Sequence, residues 1–274
     1  MHRRSFLLLT PALLLARPAF AAKPKPAVAA PGGVARLRLS AGDPAPKAHL
    51  DGIRLLVRRE KKEWVALAGV PLSAKIGATL RVEVDFANGK REIRPVKVID
   101  KKYLTQHLTV PPGQADLPED MVVRYQQERE HFAQVLRTYT EPGPESLALL
   151  QPVPGRRSGS FGLRRVINGM PRSPHSGLDI AAPSGTTISA PAAGRVTRVS
   201  RELAYGLVVH IDHGNGVTTR YAHCRSALVT AGQTVDEGTP IATVGRSGLA
   251  TGPHLHYEVR VRGEAVDPMR VAIR

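Results

Sequence analysis

The sequence predicts a mainly β protein with three parts: a small N-terminal β-sandwich, a connecting amphipathic helix and a C-terminal antiparallel β domain. Three observations carry this. The chain holds 25 glycines and 23 prolines in 274 residues, more than a helical bundle tolerates. Short runs alternate apolar and charged residues with a period of two, as half-buried strands do. A helical spacing of apolar residues occurs in one stretch, after Asp116. At 42% apolar residues the chain can bury a core, and its length suits one or two domains.

The opening residues read as an address. Arg3 and Arg4 precede an apolar run from Phe6 to Ala16, and Ala19-Phe20-Ala21 offers small residues for cleavage. The run is shorter than the roughly 20 residues a membrane-spanning helix needs. Residues 1–21 are therefore expected to be a secretory signal, leaving no stable membrane insertion after its removal. The adjacent arginines before Ser5-Phe6-Leu7 resemble a twin-arginine export signal, with the general secretory route as the alternative. Cleavage after Ala21 removes Arg3, Arg4 and Arg17 and takes the formal net charge from +16 to +13.

Residues 22–32, with Lys23-Pro24-Lys25-Pro26, read as an extended linker. Residues 33–112 form the N-terminal β domain. Ala35, Leu37 and Leu39 alternate with Arg36 and Arg38, and Leu80, Val82, Val84 and Phe86 alternate with charged residues before the turn at Asn88-Gly89. Ile53 to Val57, Trp64 to Leu67 and Val96 to Ile99 supply further strands, and no cluster here suggests chemistry. Residues 113–153 are the helical connector and linker. Asp116 and Glu119 have capping-box spacing, Pro118 suits a first turn, and Met121, Tyr125, Phe132, Val135 and Tyr139 recur at helical intervals to about Thr140. The mixed charge of its outer face points to packing on a neighbouring domain. Beyond the Pro/Gly/Ser-rich stretch 141–160, short apolar segments separated by glycine turns make residues 154–274 a second all-β domain.

Composition narrows the function. The net charge of +16 favours an acidic partner: nucleic acid, anionic lipid or a carboxylate-rich polymer. Aromatics at 4% leave few stacking platforms for single-stranded nucleic acid, and export argues against a specific nucleic-acid partner. The single cysteine, Cys224, excludes an internal disulfide framework and a Cys-rich zinc finger. Beside His223 it could suggest thiol catalysis, but it reads as a small buried side chain in a strand.

Six of the ten histidines fall between His175 and His256. His175 and Asp179 form H-x-x-x-D, His254 and His256 form H-x-H, and His223 stands in Tyr221-Ala222-His223. Imidazole and carboxylate ligands suit Zn²⁺, and a catalytic zinc keeps three protein ligands with one position open. A strand over Pro253 to Val259 would aim His254 and His256 at one face and Leu255 at the other. His175 and Asp179, in a turn-rich segment between Pro174 and Pro183, can supply two ligands from one loop. His210 and His213 sit in a strand and its turn and read as structural.

Residues 154–268 resemble the lysostaphin/LytM-type zinc metallopeptidases that cut peptidoglycan peptides. The resemblance is carried by Phe161-Gly162-Leu163-Arg164, His175-Ser176-Gly177-Leu178-Asp179, Asp212-His213-Gly214-Asn215-Gly216, Tyr221-Ala222-His223, Gly232-Gln233-Thr234-Val235 and Thr251-Gly252-Pro253-His254-Leu255-His256. The preceding β region and helix resemble, more loosely, the N-terminal extension of Gram-negative exported members. The resemblance implies His175, Asp179 and His256 as zinc ligands, with His223 and His254 lining the site as catalytic groups. It implies a periplasmic endopeptidase whose partners are peptidoglycan stems and crosslinks, with the D-alanyl-diaminopimelate bond as the expected target. Members that lost ligands bind and activate amidases instead, so a non-catalytic regulator is the alternative; all five residues are present here. Cys224 and Leu207 depart from the family pattern without touching a ligand.

Overall fold

The computed structural model describes residues 26–40, 42–111, 119–136, 139–144 and 147–271. The expected signal (1–21), Asp116 and Pro118 lie outside them. The N-terminal strands are β1 (Ala27–Ala29), β2 (Val34–Arg38), β3 (Lys47–Leu50), β4 (Ile53–Arg54), β5 (Leu56–Glu60), β6 (Glu63–Gly69), β7 (Thr79–Asp85) and β8 (Arg91–Val98). They form a five-stranded sheet in the order β1-β8-β7-β3-β4 and a three-stranded sheet in the order β2-β6-β5. The apolar members of each alternation, among them Ala35, Leu37, Ala48, Leu50, Val82, Val84 and Val96, meet in one core between the sheets. This is the expected sandwich. Its β7–β8 hairpin turns at Asn88-Gly89, with Gly89 at φ 81. β1 falls in the stretch read as linker. It pairs parallel with β8, Ala27 opposite Val96, an edge addition too short to show an alternation.

Strand β6 breaks the alternating pattern for a physical reason. Its run Val65-Ala66-Leu67-Ala68 is buried on both faces. Ala66 and Ala68 enter the sandwich core, while Val65 and Leu67, with Leu56 of β5, belong to the core of the C-terminal domain. Gly69 ends the strand where a Cβ would stand 2.5 Å from the Val261 carbonyl oxygen, so only glycine permits this approach.

After β9 (Thr105–Leu108) comes helix α1 (Glu119–Val135). It stops short of the expected Thr140, whose backbone oxygen accepts the Asn215 N–H at 2.7 Å and whose hydroxyl donates to Asp212 at 2.6 Å. Tyr125, Glu128, Phe132 and Val135 form its half-buried stripe.

The C-terminal strands are β10 (Arg156–Gly159), β11 (Arg164–Ile167), β12 (Met170–Pro171), β13 (Leu178–Ala181), β14 (Thr187–Ser189), β15 (Gly194–Glu202), β16 (Gly206–Asp212), β17 (Val217–Ala227), β18 (Thr234–Val235), β19 (Pro240–Val244), β20 (His254–Val261) and β21 (Glu264–Val266). Their main path runs β10-β13-β20-β17-β16-β15-β18, antiparallel throughout. β9, β11 and β12 make a separate small sheet in which β9 and β11 are parallel. One face of the main sheet packs Val209 and Ile211 of β16, Tyr221 of β17 and Leu255, Tyr257, Val259 and Val261 of β20 into the core. Leu147, Leu149 and Val153, from the stretch read as linker, pack into the same core. The opposite face of β20 carries His254, His256, Glu258 and Arg260.

Candidate metal centre

Three adjacent strands and one loop build the site. Asp179 of β13 lies directly opposite His256 of β20 in the antiparallel register, so both side chains rise from the same face. Asp179 thus comes from a strand rather than from the expected loop, while His175 does sit in the loop ahead of it. His254, two residues before His256, shares that face.

His223 reaches the site by a different device. Strict alternation along β17 would send it into the core after Tyr221. A bulge instead puts His223 in the left-handed region at φ 59 and shifts the phase, so that Cys224 enters the core. The His223 N–H donates to the Tyr205 carbonyl at 2.8 Å, which fixes the bulge.

The donor atoms converge. His175 Nε2 lies 3.0 Å from Asp179 Oδ1 and 3.0 Å from His256 Nδ1, and His256 Nδ1 lies 2.9 Å from Asp179 Oδ1. One ligand atom from each of the three fits within 4.8 Å of the others. Every histidine here has its other ring nitrogen occupied. His175 Nδ1 donates to the Ser160 carbonyl at 2.9 Å, and His256 Nε2 faces Glu258 Oε1 at 3.1 Å. His254 Nδ1 donates to the Gly252 carbonyl at 2.9 Å and His223 Nδ1 to the Ser247 carbonyl at 2.8 Å. Such outer bonds set ring orientation and leave the inner nitrogens' lone pairs for a cation. Two imidazoles and a carboxylate, held this way, fit a zinc-type ion.

The two further histidines flank this group. His254 Nε2 is 3.9 Å from Asp179 Oδ1, and the His223 and His254 rings are 4.7 Å apart. Burial would raise the Asp179 carboxyl, but its bonds to His175 and His256 outweigh that and hold it far below the usual range. Burial pushes His223 down to about 4, so it is a neutral imidazole near pH 7. Burial also pushes the Cys224 thiol up to about 12, consistent with an inert core side chain.

His210 and His213 lie outside the group. His213 bonds the Ala193 carbonyl and the Thr219 hydroxyl, each at 2.8 Å, and His210 faces Glu202 at 3.3 Å.

Several residues at the site escaped the sequence reading. A Cβ on Gly159 would lie 2.1 Å from Asp179 Oδ2, and one on Gly177 2.7 Å from His256 Cε1. Both glycines make room for the side chains of this group. Glu258 was detectable in principle, as the next residue on the polar face after His256. Tyr205, whose ring is 5.4 Å from that of His256, comes from a distant turn with no local signal.

Comparison with known proteins bears on this arrangement. Residues 173–268 match the model of peptidase family M23, and residues 27–101 match the peptidase family M23 N-terminal domain. A solved Pseudomonas aeruginosa structure assigned to peptidase M23 shares 35% identity, covers 89% of this chain and 94% of its own, and superposes with a TM-score of 0.73. The DD-carboxypeptidase/endopeptidase Mpg of Neisseria meningitidis serogroup B is 48% identical over 99 residues, which are 36% of this chain and 23% of Mpg. The peptidoglycan DD-endopeptidase ShyA of Vibrio cholerae is 41% identical over 119 residues, 43% of this chain and 28% of ShyA. The chain thus matches about a quarter of the length of these curated relatives.

Proposed function

Because this chain belongs to peptidase family M23, we propose that it is a zinc-dependent endopeptidase of the cell wall that hydrolyses peptide crosslinks of peptidoglycan, with the D-alanyl-diaminopimelate bond as its target. The observation that carries the proposal is the convergence of His175, Asp179 and His256 within 4.8 Å, with His223 and His254 beside them. In this reading His175, Asp179 and His256 hold the ion, and His223 and His254 are catalytic groups. Relatives named DD-endopeptidases support the bond assignment.

A zinc ion held by His175, Asp179 and His256 would supply Lewis acidity, making water a competent nucleophile near neutral pH and polarising an acyl oxygen. The protein's own groups do the rest. His223, neutral above about pH 4, accepts a proton from attacking water at the ring nitrogen that Ser247 leaves free. His223 passes that proton on to the leaving amine, and His254, whose Nδ1 is held by Gly252, presents Nε2 on the same side, where its imidazolium form donates to the developing oxyanion. Peptidoglycan stems carry free carboxylates, so a mature charge of +13 after signal cleavage favours encounter with that polymer. The reading places the protein in the periplasm, exported by its N-terminal signal. Among the described residues no helix is long and apolar enough to cross a membrane.

The test is digestion of purified crosslinked sacculi by the mature protein, with and without a chelator, and mass spectrometry of the fragments. Chelator-sensitive release of monomeric stem peptides is expected. Binding to sacculi without any cleavage would instead assign the non-catalytic, amidase-regulating role.

A further inference from the structure

On the sheet face that carries the site, polar side chains do not stop at His256. The face continues to Glu258 and Arg260 on β20, Arg220 on β17, His210 on β16 and Glu202 at the end of β15. Glu258 is wholly buried. Its Oε1 faces His256 and accepts the Ser176 hydroxyl at 2.6 Å, and its Oε2 accepts Arg260 Nε at 3.0 Å. Arg220 Nη1 lies 3.5 Å from Glu258 Oε1, and Arg220 also pairs with Glu202. Two buried carboxylates therefore balance the buried Arg220 and the half-buried Arg260, an arrangement that holds only while every partner stays in place.

Helix α1 covers this cluster. The Phe132 ring centroid is 4.6 Å from the Arg220 guanidinium carbon, 4.8 Å from that of Arg260 and 5.0 Å from the His210 ring. Tyr205 stacks on Arg220 at 3.5 Å, and its ring centroid lies 5.4 Å from that of His256 and 6.3 Å from that of His223. Glu128 of the helix accepts the Leu203 N–H at 2.9 Å, tying α1 to the turn that leads to Tyr205.

We infer that α1 is a positioning element of the metal centre: Phe132 clamps Arg220 and Arg260 so that Glu258 keeps the His256 ring turned with Nδ1 toward His175 and Asp179. This rests on the metal-centre reading above and adds to it a residue that lies ahead of the M23-matching segment 173–268. The physical basis is the attraction of a guanidinium to an aromatic face, which is stronger out of water. A Phe132 that merely filled space would be replaced by leucine without loss.

The test uses the mature chain, stripped of metal and titrated with Zn²⁺ against a competing chelator and with Co²⁺ by visible absorption. Glu258→Gln is expected to weaken zinc binding by about 10–100-fold, as loss of outer-shell partners does. Phe132→Leu should weaken it by about 3–10-fold and shift the Co²⁺ spectrum, while Phe132→Tyr, which keeps the ring, should restore both. Melting of the metal-free variants separates these effects from loss of fold. A Phe132→Leu protein with the affinity and spectrum of the parent overturns the inference, as does a tyrosine variant no better than leucine. A parent protein that binds neither ion overturns the metal-centre reading itself.

Discussion

The two β domains treat charge in opposite ways. In the sandwich, the charged partners of each alternation stay at the surface, as in the pairs Arg59–Asp43 and Lys90–Glu92. In the C-terminal domain they go inside. Every buried polar or charged residue among the described residues lies after position 200, including Glu202, Arg220, His256 and Glu258. Burying such groups costs several kcal/mol unless each is bonded and balanced. A fold that accepts this cost in one domain and avoids it in its neighbour marks where its chemistry is concentrated.

That contrast can be broken most severely at the proposed ligands. His256→Ala should abolish bound zinc and bring crosslink cleavage to background, measured by elemental analysis and muropeptide digestion. His254→Ala should keep the metal and lower turnover by about 10²–10⁴-fold, the usual weight of a general acid–base group. Equal metal loss in the two variants would falsify the division of roles. Next in size is Gly159→Ala. Its methyl group would overlap the Asp179 carboxylate, so zinc affinity should fall by about tenfold or more, as for other disturbances of ligand support. An unchanged dissociation constant would show that the strand yields.

The sandwich should respond in the other sense. Leu55 is fully buried in its core, and Leu55→Ala should cost about 2–5 kcal/mol of stability by denaturant unfolding, with metal affinity untouched. A parallel loss of zinc binding would mean that the domain shapes the site as well. The smallest expected effect is a pH slope. Burial holds His210 and His213 neutral in the folded protein, with pKa values below that of an exposed histidine. The unfolded chain takes up those protons below about pH 6.5, so it binds more protons and stability falls as the pH drops through that value. Each group contributes up to about 1.4 kcal/mol per pH unit. His213→Gln should remove one proton's share of that slope, read from denaturation at pH 5 and pH 7.

Much of this was legible in the sequence because it is written in local patterns. The β7–β8 hairpin follows from alternation and Asn88-Gly89, and the shared face of His254 and His256 follows from their spacing in a strand. What was not legible depends on long-range register. Asp179 belongs to a strand because Leu178–Ala181 finds β20, a pairing no local signal announces. Strand β6 serves two cores, so its unbroken apolar run hides which residue faces which. The role of Phe132 looked like ordinary helix packing, since nothing in its own segment points to the arginines of β17 and β20 beneath it.

The bulge at His223 has a consequence for the molecule's resilience. An L-residue in a left-handed backbone conformation works against the fold by about 1–2 kcal/mol, whereas glycine sits there at ease. On the proposed mechanism, replacing this histidine by glycine removes a catalytic group and relieves that backbone cost at once, so hydrolytic power and toughness would pull this position in opposite directions.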